Sequence, residues 1–378
     1  MKKLLIFLLL ATAGLAGLTS SARAANESIG LSMDARSASG PLYRELPRPL
    51  VASLRVTVGN PPAETKVTPL KVANVTFPGD MGFYPNNRKT PACPESKLGD
   101  QSNLAAGVAE IVSACPRSVI GTGTAIIQLG QNKSPASTLT DPELVVFNAG
   151  RDSSGRPKVM IYGYSRTVNY GLLMRGRLAA NGELRIEIGV LPFDSSITEF
   201  TLGIPGTPLE VEDTISGHGT KTVKGLDPDY LRARCSKGTW LATGSFVLGT
   251  RSFPGGTPLS EDSVVDSNPF SLPCHGLAGK PKLKMPRVEG ARRLRTGSHS
   301  TFRVSVSNTG TATARSVRLE ATGPASGHLK VGSLAPGEKR TVKIAVTASK
   351  QKQTGQLRFR LSGKKTGSAG ASRRLVVG

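Results

Sequence analysis

The chain has 378 residues, 38% of them hydrophobic and 20% charged, and a formal net charge of +23. That length accommodates two or three domains, each long enough to bury its own core. The charge excludes an evenly basic chain: residues 25–279 hold 24 basic and 23 acidic residues, whereas residues 280–378 hold 22 basic residues against Glu289, Glu320 and Glu338 alone. A body of +1 therefore precedes a segment of +19, and such asymmetry points to a polyanionic partner.

Residues 1–24 read as a secretory signal peptide. Lys2 and Lys3 precede an apolar run over 4–18, and Ala22-Arg23-Ala24 forms an Ala-x-Ala cleavage pattern, so the mature chain is expected to begin at Ala25. The run is short for a bilayer span. No cysteine follows it to take a lipid, and the C-terminus carries no apolar tail or sorting signal, so no covalent anchor is expected and the protein is placed outside the cell or at its surface.

Residues 25–49 are polar and irregular, which predicts a loose arm, or a segment whose end begins the first strand. Leu54, Val56 and Val58 alternate with polar positions, as do Ala73, Val75 and Phe77, and period two is the signature of half-buried strands. Leu104, Val108 and Ile111 share one helical face, predicting a short helix over 104–112. Gly121-Thr122-Gly123 lacks the third glycine of a nucleotide fingerprint and reads as a glycine-bearing strand. Further strands are predicted over 144–147, 159–164, 172–178, 184–190, 197–204, 207–215 and 241–248. Asn181-Gly182 marks a hairpin between two of them.

Four cysteines follow the signal peptide: Cys93, Cys115, Cys235 and Cys274. An even number in an oxidising compartment predicts two disulfides. Of the three possible pairings, Cys93–Cys115 with Cys235–Cys274 closes the short loops and is the one expected. Zinc is disfavoured because no Cys-x-x-Cys pair exists. Trp240, close to Cys235 in sequence, is expected to pack in the core against a disulfide.

Many short strands with turn signals predict an all-β fold: a sandwich or jelly-roll-like body over 25–275 with one short helix, a linker over 276–285, and a seven-stranded immunoglobulin-like sandwich over 286–378. In the last segment Phe302, Val304 and Val306 alternate up to the turn Asn308-Thr309-Gly310, and Ala335-Pro336-Gly337-Glu338 places Pro and Gly at favoured turn positions. Alternation puts Arg303, Arg318, Lys343, Arg358 and Arg360 outward, and Lys364, Lys365, Arg373 and Arg374 add charge near the end. These residues are the candidate polyanion-binding face.

The segment from Val304 to Gly310, the following run from Ala314 to Leu319, and Leu334-Ala335-Pro336-Gly337-Glu338 resemble the CARDB-type, cell-adhesion-related bacterial domains. The resemblance covers about a quarter of the chain. It implies a surface or accessory module of immunoglobulin-like fold and supplies no catalytic residues. The body, through Cys115-Pro116, the Ile120 to Ala125 stretch and the Cys235 to Trp240 stretch, resembles secreted actinobacterial proteins of unknown role.

No reaction can be read from the sequence. There is no Gly-x-Ser-x-Gly elbow, and His218, in Ser216-Gly217-His218-Gly219, reads as a solvent-facing loop histidine. His299 and His328 in the basic segment read as turn or surface residues. Asp227-Pro228-Asp229 and Glu210-Val211-Glu212-Asp213 match no twelve-residue calcium loop and read as solvated loops and strand ends. No cofactor, metal ligand set or catalytic residue is assigned. The reading is a secreted, non-catalytic, envelope-associated adhesion or scaffold protein. Its basic segment would contact an anionic envelope polymer or membrane surface, with another surface protein as a further partner. Nucleic acid is disfavoured because the basic segment has no Tyr or Trp for base stacking. The competing reading is a secreted hydrolase with a catalytic body and an accessory immunoglobulin-like domain.

Overall fold

The structure is a computed structural model that describes residues 27–59, 66–99, 105–130, 134–179, 182–192, 195–212 and 219–378. The signal segment, Leu104, Asn181, Asp213 and His218 lie outside the described residues. The fold is nearly all β. Strands of the body are β1 (Ser28–Ser37), β2 (Arg48–Gly59), β3 (Leu70–Thr76), β4 (Met81–Phe83), β5 (Val119–Gln128), β6 (Thr138–Leu139), β7 (Glu143–Arg151), β8 (Pro157–Ser165) and β9 (Tyr170–Leu178). They continue with β10 (Glu183–Glu187), β11 (Ser196–Ile204), β12 (Leu209–Glu212), β13 (Thr220–Val223), β14 (Leu231–Ala233), β15 (Thr239–Leu248), β16 (Ser263–Asp266) and β17 (Phe270–Pro273). The C-terminal set is β18 (Leu283–Glu289), β19 (Arg293–Leu294), β20 (His299–Asn308), β21 (Ala314–Thr322), β22 (Ala325–Leu334), β23 (Lys339–Ala348), β24 (Gln353–Lys364) and β25 (Ala369–Val377).

One long ladder, β16-β15-β3-β10-β9-β8-β7-β5-β11-β2-β14-β4, organises the body. Its two middle strands show why the sequence needs cover on both sides. Leu144, Val146, Val159 and Ile161 face a core shared with Val56, Val75, Ile186 and Phe246. Their alternates Val145, Phe147, Met160 and Tyr162 face the other way, onto Val108, Ile111 and Val112. A strand buried on both faces reads as an unbroken apolar run, and 144–147 and 159–162 are such runs. Among the described residues the outer cover is two short helices, α1 (Glu95–Leu98) and α2 (Val108–Ala114), where a single one is expected. The Cys93–Cys115 disulfide closes this cap. Gly121 and Gly123 sit in β5 as a strand: a Cβ on Gly123 would lie 1.9 Å from the Thr201 carbonyl oxygen, so the close antiparallel pairing of β5 with β11 requires the missing side chain.

The expected loose arm is corrected. Residues 28–37 form β1, paired along its length with β2, because Ile29, Leu31 and Met33 are buried in alternation with exposed neighbours. Trp240 is buried with Cys235 in a small cluster, its Nε1 donating to the Arg234 carbonyl at 2.9 Å, and Cys235 is bonded to Cys274. Both disulfides have the sequential pairing.

The C-terminal strands form an eight-stranded sheet, β18-β20-β23-β22-β21-β24-β25-β19. It folds over at β22, whose Ala325 and Ser326 pair with β23 while the rest pairs with β21. Two layers result, and Phe302 of β20 meets Phe359 of β24 between them with ring centroids 5.5 Å apart. Core residues of this sheet fall between 283 and 377, and those of the other clusters between 29 and 248. Residues 276–285 are fastened at both ends: Leu277 exchanges backbone hydrogen bonds with Leu42 and Arg44, and Lys280 and Lys282 bond to Thr311 and Thr309. Thr313 N also donates to Glu45 Oε2 at 2.7 Å. Hydrogen bonding to Thr313, helped by the nearby Arg315 and Arg234 charges, holds the Glu45 carboxyl below its ordinary range.

Candidate anion-binding surfaces

Alternation within each strand decides which cations leave the sandwich core, and the layer decides where they go. Phe302 and Phe359 point toward each other. Their neighbours Arg303 on one layer and Arg358 and Arg360 on the other therefore point in opposite directions. The expected basic face is in fact two faces. On the first, Arg303 stands directly across from Lys343, with Glu289 on its other side. Arg287 is taken up by Glu289 at 2.5 Å, and Lys284 and Lys339 flank Ser307. On the second, Arg318 stands across from Lys330 and Ser362, Arg360 across from Glu320, and Arg358 across from Thr322 and Ser372.

Directly opposite side chains in an antiparallel pair are about 5 Å apart at Cβ, and like charges there are destabilising. Arg303–Lys343, Arg318–Lys330 and Arg315–Lys364 are such pairs. An anion laid along either face relieves that repulsion. Arg373 does not join the coat, since its guanidinium donates to the carbonyls of Val288 and Gly290 at 3.1 and 2.8 Å.

The body supplies a third basic surface that the sequence did not single out. An open cleft of about 420 Å³ is lined by Tyr84, Asn86, Arg88, Arg151, Asp229 and Arg232 among others. Tyr84 is 43% exposed, and the Arg232 guanidinium lies 5.3 Å from its ring centroid. The Arg232 Nε is buried without a hydrogen-bond partner. Lys89 Nζ lies 2.5 Å from Asp229 Oδ2, and this bond holds the Asp229 carboxyl below its ordinary range. Beneath the floor, Asp227 is 0% exposed, which corrects its reading as a solvated loop carboxylate. It accepts from Thr90 Oγ1 at 3.3 Å and from Asp229 N at 3.0 Å. Asn148, also buried, donates to the Thr90 carbonyl at 2.7 Å and accepts from Tyr230 OH at 3.5 Å. Burial raises the Tyr230 hydroxyl well above its ordinary range, so it stays a neutral donor. Three guanidiniums around an open polar cleft are suited to carboxylate, phosphate or sulfate groups. They come from positions 88, 151 and 232, so only the fold brings them together.

Of the other carboxylates noted in the sequence, Glu210 accepts from Thr222 Oγ1 at 2.8 Å and Glu212 is 3.6 Å from Arg166, both exposed. His299 shares a hydrogen bond with Thr347 on the first sandwich face at 3.0 Å. Both disulfides suit an extracellular or secreted protein. No helix among the described residues is long and apolar enough to cross a membrane.

A family model described as the NPCBM-associated, NEW3 domain of alpha-galactosidase matches residues 294–363. The C-terminal sandwich is thus similar to an immunoglobulin-like accessory domain; the match carries the NEW3 description and not the CARDB-type one. No curated protein matches the chain. Among solved structures, native alpha-2-macroglobulin from Escherichia coli, from domain MG7 to the C-terminus, matches at 19% identity over 26% of this chain and 17% of that one, with a TM-score of 0.21. Red sea bream transglutaminase matches at 10% identity over 93% of this chain and 31% of that one, with a TM-score of 0.22. Amycolatopsis orientalis exo-chitosanase CsxA matches at 15% identity over 68% and 24%, with a TM-score of 0.19. In each case the chain spans less than a third of the matched protein.

Proposed function

We infer that this is an exported, non-catalytic protein that holds to anionic polymers or an anionic surface of the cell envelope, with its C-terminal sandwich as the attachment module. The observation that carries the reading is the set of like-charged cross-strand pairs on both layers, Arg303–Lys343 and Arg318–Lys330 foremost. A sheet that places cations opposite one another gains stability when an anion sits between them. The match to an accessory-domain family fits a module that serves a neighbouring body.

The test is retention of the purified chain on immobilised polyphosphate. Retention should weaken steeply between 0.1 and 1 M salt, as the screening length shrinks from about 10 to 3 Å. Reversing Arg303 with Lys343, or Arg318 with Arg358 and Arg360, to Glu should each weaken binding about tenfold. Retention indifferent to salt and to both sets of substitutions would end this reading. A second reading, a secreted hydrolase with a catalytic body, draws on the printed description of the matched family, a domain of alpha-galactosidase. Turnover of an aryl α-galactoside by the purified chain would favour it; an inactive wild type would set that substrate aside.

A further inference from the structure

We propose that the basic cleft of the body binds an acidic sugar, a uronate unit of a polysaccharide, gripping its carboxylate and its ring together. The site uses no residue of the sandwich, so it stands or falls apart from the attachment reading. Four segments meet there: Tyr84 just past β4, the loop that follows with Arg88, Arg151 at the end of β7, and Asp229 with Arg232 around the start of β14.

A polar floor fixes these segments before any ligand arrives. Asp227 and Asn148 are both 0% exposed, and burying such groups is costly unless each is bonded. Asn148 Nδ2 donates to the Thr90 carbonyl at 2.7 Å and to Asn87 Oδ1 at 3.3 Å, and its Oδ1 accepts from Gly150 N at 3.0 Å. That one amide ties the Arg88 loop to the end of β7. Asp227 accepts from Thr90 Oγ1, and Tyr84 N donates to the Tyr230 carbonyl at 2.7 Å. Those bonds tie the same loop to the entry of β14. Binding to a site already assembled spends little on ordering it.

The walls depart from regular strand where the ligand would lie. β7 bulges between Asn148 and Arg151, with a φ of 78° at Gly150. A bulge re-aims a side chain, and here Arg151 lines the cleft, steadied by a bond to the Gly155 carbonyl at 2.7 Å. In β4, Gly82 stands directly across from Arg232. A Cβ at Gly82 would lie 3.3 Å from Tyr84 Cε2, so the phenol ring rests against bare backbone. An aromatic ring 43% exposed is thereby set among three guanidiniums.

The chemistry of the walls selects the ligand. Arg88 and Arg151 are exposed, and guanidinium forks match a planar carboxylate. Asp229 lines the same cleft; it repels a bare dianion but accepts from a hydroxyl. The amides of Asn86 and Asn87 offer hydroxyl groups both donors and acceptors. Tyr84 gives an apolar face for the C–H side of a pyranose. A cleft of about 420 Å³ has the size of a small-molecule site. Its open form admits one unit of a longer chain.

The experiment is calorimetric titration of the full chain with trigalacturonate, in salt high enough to screen loose surface attraction. Trigalacturonate should bind at least tenfold more tightly than its methyl ester, which keeps the rings without the charge. It should exceed citrate and inorganic phosphate, which keep charge without rings, by a similar factor. Arg88→Gln should weaken it about tenfold with the thermal unfolding midpoint unchanged, because that side chain is exposed. Tyr84→Ala should weaken trigalacturonate and leave citrate unaffected. Replacing Arg303 and Lys343 with Glu should leave the titration as it was, which separates this result from retention on polyphosphate. No binding of trigalacturonate, equal binding of the ester, citrate or phosphate, or binding indifferent to both cleft variants overturns the proposal.

Discussion

Asn308 shows how a short motif carries a fold. The sequence marks it only as the start of an Asn-x-Gly turn, yet its side chain is buried and fully used. Its Oδ1 accepts from Lys282 N and Gly310 N, each at 3.0 Å, and its Nδ2 donates to the carbonyls of Ala312 and Leu334 at 2.8 and 2.9 Å. One amide thus joins the incoming chain, its own turn and the Leu334-Ala335-Pro336-Gly337 turn. Asn308→Ala strands two donors and two acceptors and should cost about 3 kcal/mol, seen as a lower urea midpoint. Asp80 does similar work beside the Cys235 disulfide. Burial would raise its carboxyl, but hydrogen bonds from Ser236 and Arg234 outweigh burial and hold it below the ordinary range. Ser236 N donates at 2.7 Å and Arg234 Nε at 2.9 Å. A carboxylate depressed in the folded state adds stability that is fully present above about pH 4, the ordinary aspartate value, and is lost as pH falls through the lowered one. Asp80→Asn should therefore lower stability at pH 7 by roughly 2 kcal/mol and flatten the acid side of a stability-against-pH curve.

At the scale of elements, alternation was a sound guide wherever a strand buries one face. It placed β20, β21, β23 and β24 and most of the body ladder. In β1 the same alternation of Ile29, Leu31 and Met33 with small and polar residues is masked by the overall polarity of residues 25–49. The helix expected over 104–112 begins later, at Val108, after Gly107 with a φ of 96° that no helix continues. The clamp around it was legible from cysteine spacing alone. The two bridges close loops of 22 and 39 residues, worth about 3–4 kcal/mol each in the chain-entropy model. Reduction should lower the unfolding midpoint of the body and leave that of the cysteine-free sandwich in place. Two calorimetric transitions, one moving with dithiothreitol and one fixed, are the expected record.

Across the whole molecule, the sequence could say that Arg303, Arg318, Lys343, Arg358 and Arg360 point outward but not that they part company. Period two separates inside from outside; which layer a strand joins depends on the fold-over at β22, set by pairings far apart in the chain. The basic cleft was hidden for the same reason, its arginines averaged away in a body of near-zero net charge. The division has a consequence that a single face would not. A module with cations on opposite faces can touch two polymer strands at once, and bivalent contact raises avidity without any new interaction. The full chain mixed with soluble polyphosphate near charge equivalence should therefore form light-scattering complexes that dissolve with excess polymer or in 1 M salt. Replacing Arg303 and Lys343 with Glu should keep binding measurable but remove the scattering, and so should replacing Arg318, Arg358 and Arg360. Scattering that survives either replacement would mean that the basic cleft of the body, around Arg88, Arg151 and Arg232, provides the second point of contact.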